Sequence, residues 1–186
     1  MLSVIIATSE SEHLLVRTLS ILIPGAVAGI VREVIVADAG SNDATATVAD
    51  HAGCRLLVSS AAPRGARLKA AAASARAPWL LFLQPGTVLY ANWIDDAARF
   101  IAEENERSTG DSRAAVLRAR SGAAGHRSLL QEALSLLWAA VNGGARSQQG
   151  LLIAKRLYDS LGGHRQRANP EADLRRRLGR RRIIML

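Results

Sequence analysis

The sequence predicts an α/β protein built on one mostly parallel sheet with helices on both faces, and three observations predict it. Short apolar, β-branched runs recur at Ser3–Ala7, Glu33–Asp38, Arg55–Ser59 and Trp79–Leu83. Between them lie stretches with helical spacing of apolar residues, so strands and helices alternate. Parallel strands joined by helical crossovers must be wound with one hand, which places helices on both sides of the sheet. With 186 residues, and about 150 residues per domain as a guide, the chain should form a single domain over 1–186. Its two halves are 1–90, carrying the first four strands, and 91–186.

Taken in order, Ser3–Ala7 reads as a buried strand ending at Thr8, Ser9 and Glu10. His13–Leu22 places apolar residues at 14, 15, 16, 19, 21 and 22, a helical face expected to stop before Pro24. Glu33–Asp38 is a second strand running into Ala39-Gly40-Ser41-Asn42-Asp43, where Asn42 or Asp43 can cap a helix over Ala44–Ala52. Arg55–Ser59 is a third strand, Arg67–Ala77 an alanine-rich helix ended by Pro78, and Trp79–Leu83 a wholly apolar fourth strand. A helix over Trp93–Glu106, a polar break at Arg107–Arg113, a strand at Ala114–Arg118 and an amphipathic helix over 129–141 complete the reading.

Composition narrows the classes. Hydrophobic residues make up 49% and charged residues 22%, with 5 Pro, as in a globular chain rather than a disordered one. Cys54 is the single thiol, so no internal disulfide can form; it reads as a small core residue, and a reducing cytoplasm fits. The apolar stretch Leu19–Val31 is broken by Pro24, Gly25 and Gly29, unlike a signal-peptide core, and the stretch Leu129–Val141 is too short to span a bilayer. The formal net charge of +8 is concentrated in the last quarter: 144–186 holds 11 basic and 3 acidic residues. Arg175, Arg176, Arg177, Arg180, Arg181 and Arg182 make that end a candidate for phosphates or an anionic membrane surface, set against a solvated helix face. Nucleic acid is not favoured, because aromatic residues for base stacking are only 4%.

In open parallel sheets, ligands bind at the carboxyl ends of the strands, where helix N-termini and loops present free donors. Four loops meet that description: Thr8–Glu12, Asp38–Asp43, Ala62–Arg67 and Gln84–Thr87. The segments LSVIIATSESE at 2–12, REVIVADAGSNDAT at 32–45, PWLLFLQPGTVL at 78–89 and QQGLLIAKRLYDSLGG at 148–163 together resemble the family 2 glycosyltransferases with the A-type nucleotide-sugar-binding fold, closest to a short bacterial branch. No one motif is specific; their order and spacing carry the resemblance.

The resemblance implies a Rossmann-like fold, a nucleoside diphosphate-sugar donor, an unknown acceptor and an inverting transfer. Residue by residue, it places Thr8 and Glu10 in the loop that holds the nucleoside, where Ala7 and Glu10 replace the family's usual Pro and Asn. Asp38 matches the aspartate that accepts a hydrogen bond from the base, and Asp43 the second acid of the same turn, a helix cap. Arg64 matches a basic residue facing the nucleotide, while Lys69 and Ala71 replace an Asn and a Gly. Glu171 sits near the family's general base, with Asp173 as the neighbouring acid at the helix start. His164, beside Gly162-Gly163, reads as a loop residue.

The sequence departs from the family at Gln84-Pro85-Gly86. There the resemblance implies an Asp-x-Asp motif binding a divalent cation, Mg²⁺ or Mn²⁺, yet Gln84 and Gly86 occupy the carboxylate positions. Such cations take hard, anionic oxygen ligands, which an amide and a glycine do not replace. Forfeiting about 4 kcal/mol of leaving-group stabilisation lowers a rate roughly a thousand-fold. The expected protein is therefore a transferase working without the usual metal site, its Arg-rich end helping to neutralise the diphosphate. The alternatives are a catalytically degenerate nucleotide-binding or assembly module, and an anion-binding protein. The chain also stops at Leu186, earlier than the resemblance implies, so a shortened acceptor side is expected. A cytoplasmic location, with peripheral attachment to the inner membrane face or homo-oligomerisation as partners' modes, completes the expectation.

Overall fold

Leu2–Thr8 forms strand β1 with all seven side chains buried, a pattern that requires cover on both faces of the sheet. The computed structural model describes residues 1–107, 112–121 and 150–186. After β1 come α1 (Glu12–Ser20), α2 (Ile23–Val27), β2 (Val31–Asp38), α3 (Thr45–His51), β3 (Arg55–Val58), α4 (Arg64–Ser74) and β4 (Trp79–Leu83). They are followed by β5 (Thr87–Leu89), α5 (Trp93–Glu106), β6 (Ala114–Leu117), β7 (Ala119–Ser121), β8 (Gly150–Ala154), α6 (Lys155–Ser160), α7 (Pro170–Leu178) and β9 (Ile183–Met185).

The seven-stranded sheet has the order β3-β2-β1-β4-β8-β6-β9, and β5 pairs with β7 in a small antiparallel ribbon. β3, β2, β1 and β4 are mutually parallel, β8 runs antiparallel between β4 and β6, and β9 is parallel to β6. The chain moves outward from β1 to β2 to β3 and then returns across β1 to β4. With right-handed crossovers, α1 and α3 therefore lie on one face and α4 on the other. This reversal between β1 and β4 is the topological switch point, where the carboxyl ends of two strands diverge and leave room for a ligand.

β1, β4 and β8 are buried along their whole length. Each fully buried Leu or Ile contributes about 1.5–3 kcal/mol of transfer free energy, so these strands anchor the core. Trp79 at the start of β4 meets Phe100 of α5 edge-on, with centroids 5.8 Å apart. Among the described residues no helix is long and apolar enough to cross a membrane.

The mostly parallel sheet and its first four strands match the expectation, and several boundaries move for physical reasons. The helix expected to end at Leu22 stops at Ser20, and Pro24 sits in the first turn of the new helix α2, where its missing N–H goes unused. α4 begins at Arg64, directly after Pro63, and ends three residues earlier than expected, so both arginines of Arg64-Gly65-Ala66-Arg67 belong to its first turn and reach the carboxyl ends of β1 and β2. β5, β7, β8, α6 and β9 were not expected as elements, and the helix expected near Asp173 is α7, which starts at Pro170. The amphipathic helix expected over 129–141 lies outside the described residues. Cys54 is half-buried rather than fully enclosed, and burial pushes its thiol up to about 11.

The Arg-rich end is not one solvated helix face. Arg175, Arg176 and Arg177 occupy the last turn of α7, while Arg180, Arg181 and Arg182 form an exposed 3₁₀ turn leading into β9, three strands from β4. Arg177 is structural: it donates to the carbonyls of Leu161 and, at 2.6 Å, Gly163, and to Asp173 at 2.9 Å.

Candidate active site

The carboxyl end of β2 turns sharply at Asp38, and that carboxylate organises the turn. Asp38 is 1% exposed; it accepts hydrogen bonds from Thr8 Oγ1 at 2.7 Å, Gly40 N at 2.8 Å, and Ser41 N and Oγ, both at 2.6 Å. Burial opposes ionisation, but these donors outweigh it and hold the carboxyl below its ordinary range. Gly40 has a φ of 84°, the left-handed conformation the turn requires.

Glu10 clasps the first loop to the second. Its backbone N–H donates to Ser41 Oγ at 2.8 Å, and its carboxylate accepts from Asn42 N at 2.9 Å and Asp43 N at 3.2 Å. The residue holds a φ of 46°, an uncommon conformation for a non-glycine residue. Asp43 serves two helix starts, accepting from Glu12 N and from Thr45 N, each at 3.0 Å. Thr8, Glu10 and Asp38, placed together by the sequence reading, are thus brought together through Ser41.

Arg67, which sequence reasoning missed, lies across the strand ends. One guanidinium nitrogen donates to Thr8 O at 2.7 Å and to Ala37 O at 2.8 Å, tying β1 to β2. Burial and the nearby Arg64 lower its pKa, with Asp38 opposing them. The i, i+3 spacing of Arg64 and Arg67 after Pro63 was the available signal.

Arg64 and Glu171 meet directly. Arg64 Nε donates to Glu171 Oε1 at 2.8 Å, and a terminal nitrogen lies 2.7 Å from the same oxygen. Both ends of this pair are set by local chemistry. Asn169 caps α7, its Oδ1 accepting from Ala172 N at 3.0 Å, and Pro170 follows in the first turn, where its missing N–H is not needed. Gly65 lets the α6–α7 connection lie against α4: a Cβ there would fall 2.2 Å from Arg165 O. Asp173 instead turns along its own helix to Arg177, so Glu171 is the acid that faces α4. Glu171 also lines a narrow crevice beside the end of β4, with Gln84, His164 and Arg175 over a floor of Leu68 and Phe82.

Gln84–Thr87 is a β-turn. Thr87 N donates to Gln84 O at 3.0 Å, Pro85 occupies the second position, and Gly86 has a φ of 85°, as a type II turn requires. Gly86 N donates to Leu14 O at 3.0 Å and Thr18 Oγ1 at 2.9 Å, docking the turn on α1. Gln84 offers one neutral amide oxygen and Gly86 none. Among the described residues no group of three or more His, Cys, Asp or Glu side chains is placed to hold a metal. The donor set of this turn does not fit a hard divalent cation. Lys69 is exposed on α4 and Ala71 is buried.

His164 is a loop residue, as expected, but a buried one, 2% exposed. A Schellman cap at the end of α6, with Gly162 N donating to Asp159 O at 2.8 Å and Gly163 N to Tyr158 O at 2.9 Å, folds it back onto Tyr158.

A mostly parallel sheet wound outward from β1 to β3 and back across β1 to β4, with its polar loops gathered at the switch point, is the fold of the A-type glycosyltransferases. The model of the family "Glycosyl transferase family 2" matches residues 3–159, and the chain belongs to that family. Its fold is similar to those of S. aureus TarS (residues 1–349; 19% identity, TM-score 0.67), glucosyl-3-phosphoglycerate synthase from Mycobacterium tuberculosis with Mn²⁺, UDP and glucosyl-3-phosphoglycerate (19%, 0.61), and the mannosyltransferase PcManGT from Pyrobaculum calidifontis with GDP-Man and Mn²⁺ (13%, 0.65). Each likeness covers 100% of this chain, which spans 57%, 68% and 54% of those three chains respectively. No curated protein sequence matches it.

Proposed function

We propose that the protein transfers a sugar from a nucleoside diphosphate-sugar to an acceptor hydroxyl, with inversion and without the family's usual metal site. The observation that carries this reading is the Arg64–Glu171 pair at the switch point. Thr8, Glu10 and Asp38 hold the nucleoside side, with Ser41 Oγ yielding its place on Asp38 to the base. Arg64 serves the diphosphate, since a guanidinium matches phosphate oxygens as well as it matches a carboxylate.

In the resting pair, Glu171 is occupied by Arg64. A bound diphosphate draws Arg64 away and frees the carboxylate to act as general base. Glu171 then takes the acceptor's hydroxyl proton, the oxygen forms the new bond to the anomeric carbon, and the bond to the diphosphate breaks with its electrons leaving on the diphosphate oxygen. Arg64 offsets the charge that develops there.

A second reading is favoured by the Gln84–Thr87 turn, which lacks both motif carboxylates: a nucleotide-binding or assembly module that keeps the fold without turnover. One experiment separates the two. Thermal unfolding is followed with UDP, GDP, dTDP and CDP, with and without Mn²⁺, and with pyrophosphate as control, and donor turnover is assayed alongside. A nucleotide at ~100 times its dissociation constant stabilises by ~2.7 kcal/mol, moving the midpoint by roughly 5–11 °C. A nucleotide-specific shift with turnover that Glu171→Gln abolishes supports the transferase; a shift without turnover of any donor supports the module.

A further inference from the structure

Tyr158 is 1% exposed, and its hydroxyl oxygen accepts the backbone N–H of His164 at 3.0 Å and lies 3.0 Å from His164 Nδ1. No other acceptor for its proton is found among the described residues. Pairing that proton therefore requires Tyr158 to donate to Nδ1, which assigns the imidazole proton to Nε2. Phe82 meets the ring edge-on, with centroids 4.7 Å apart, and fixes its plane. Nε2 is buried, has no hydrogen-bond partner among the described residues, and belongs to a residue lining the crevice shared with Glu171 and Gln84. Nothing within the described protein satisfies this donor. Burial also holds the ring neutral, pushing its pKa down to about 4, against the pull of Glu171 and with Arg64 and Arg177 adding to the lowering.

We propose that His164 is a substrate-binding residue whose Nε2–H donates to a substrate hydroxyl oxygen seated in this crevice. The inference rests on the transferase reading and gives its crevice a second polar contact. A hydroxyl suits the site because it accepts from Nε2–H through a lone pair while offering its own proton to Glu171. Two contacts of opposite sense fix both the position of the oxygen and the direction of its proton. A neutral imidazole holds that oxygen without competing for the proton. The hydroxyl belongs to the acceptor or to the donor's sugar, and the test separates these sources.

Wild type, His164→Phe and His164→Gln are titrated with UDP, UDP-glucose, GDP and GDP-mannose, and hydrolysis of each donor, with water as acceptor, is measured. Phe keeps the ring shape without the N–H; Gln returns a side-chain N–H near the position of Nε2. Expected for an acceptor hydroxyl are nucleotide and donor affinities within about twofold of wild type in His164→Phe, and hydrolysis at least about tenfold slower, restored in large part by Gln. If the hydroxyl is the sugar's, His164→Phe weakens the nucleotide sugar by about tenfold and leaves the nucleoside diphosphate unchanged. A folded His164→Phe unchanged in both respects overturns the inference and leaves the transferase reading standing. Wild type that binds none of the four ligands overturns both. Should His164→Phe not fold, ¹⁵N spectra of wild-type histidine decide. A proton on Nε2, with a resonance that moves when the donor is added, supports the assignment, whereas a proton on Nδ1 or an unmoved resonance refutes it.

Discussion

The guanidinium of Arg64 holds the carboxylate of Glu171 at 2.7 and 2.8 Å, joining the first turn of α4 to the first turn of α7 across 107 residues of sequence. Two residues proposed for separate tasks thus restrain each other in the free protein. Arg64→Ala should weaken nucleoside diphosphate binding by at least about tenfold, because a charge-assisted, bidentate contact to phosphate is lost. Glu171→Gln should leave that affinity within about twofold while lowering transfer by roughly 10²–10⁴-fold, the usual weight of a general base. Calorimetric titration and a donor-turnover assay measure the two; equal losses of affinity in both variants would remove the division of labour.

Restoring an acid to the metal-motif position should damage the fold. Gly86 holds a φ of 85°, and a Cβ there would sit 3.0 Å from Leu14 Cδ2. Gly86→Asp is therefore expected to destabilise the protein by about 1–2 kcal/mol, read from urea unfolding, with no gain in Mn²⁺ affinity. Tight Mn²⁺ binding by a stable Gly86→Asp variant would contradict this account of the turn.

Gly65→Ala should be more damaging than an ordinary helical Gly→Ala change, which is mildly stabilising. Its new methyl would lie 2.2 Å from Arg165 O, a backbone atom that cannot rotate away. A loss of about 1–3 kcal/mol is expected. The Arg64–Glu171 pair should open with it, so the variant's transfer rate falls even below its unfolding temperature.

Acid should expose His164. Its pKa is lowered from 6.5 to about 4 by burial, so the unfolded chain binds the proton more readily than the folded one. The stability this residue contributes is present above about pH 6.5 and is lost as the pH falls toward 4, by an amount on the order of 3 kcal/mol. Urea unfolding across pH 4–7 should show a one-proton slope that His164→Gln removes; an unchanged slope in that variant would place the titration elsewhere.

Local patterns made β1 to β4 and α5 readable. β1 to β4 are short apolar runs bounded by turn residues, and α5 has the expected limits because its amphipathic spacing lies wholly within the segment. The elements after α5 depend on partners distant in sequence. β8 is five apolar residues whose role as an antiparallel neighbour of β4 comes from pairings such as Phe82 with Leu151, and no periodicity in GLLIA announces it. Glu171 and Arg64 were each legible as candidates in the sequence, but their contact depends on Gly65 admitting the α6–α7 connection, a packing event between segments about 100 residues apart. His164 carried a weaker signal: a tyrosine, two glycines and a histidine within seven positions spell a helix end that folds back on itself. Its burial required the third dimension.

The clasp made by Glu10 bears on how tightly and how fast a ligand is held. Glu10 already joins the first loop to Asn42 and Asp43, and Arg67 already stitches β1 to β2, so the loops at these strand ends are tied together without a ligand. Under the proposed function, a nucleotide bound there has little chain left to immobilise, so its association should proceed without a slow closing phase and with a small entropic penalty. Glu10→Ala would turn that fixed socket into a pair of independent loops, and its imprint would be carried by the entropy of binding while the enthalpy changes little.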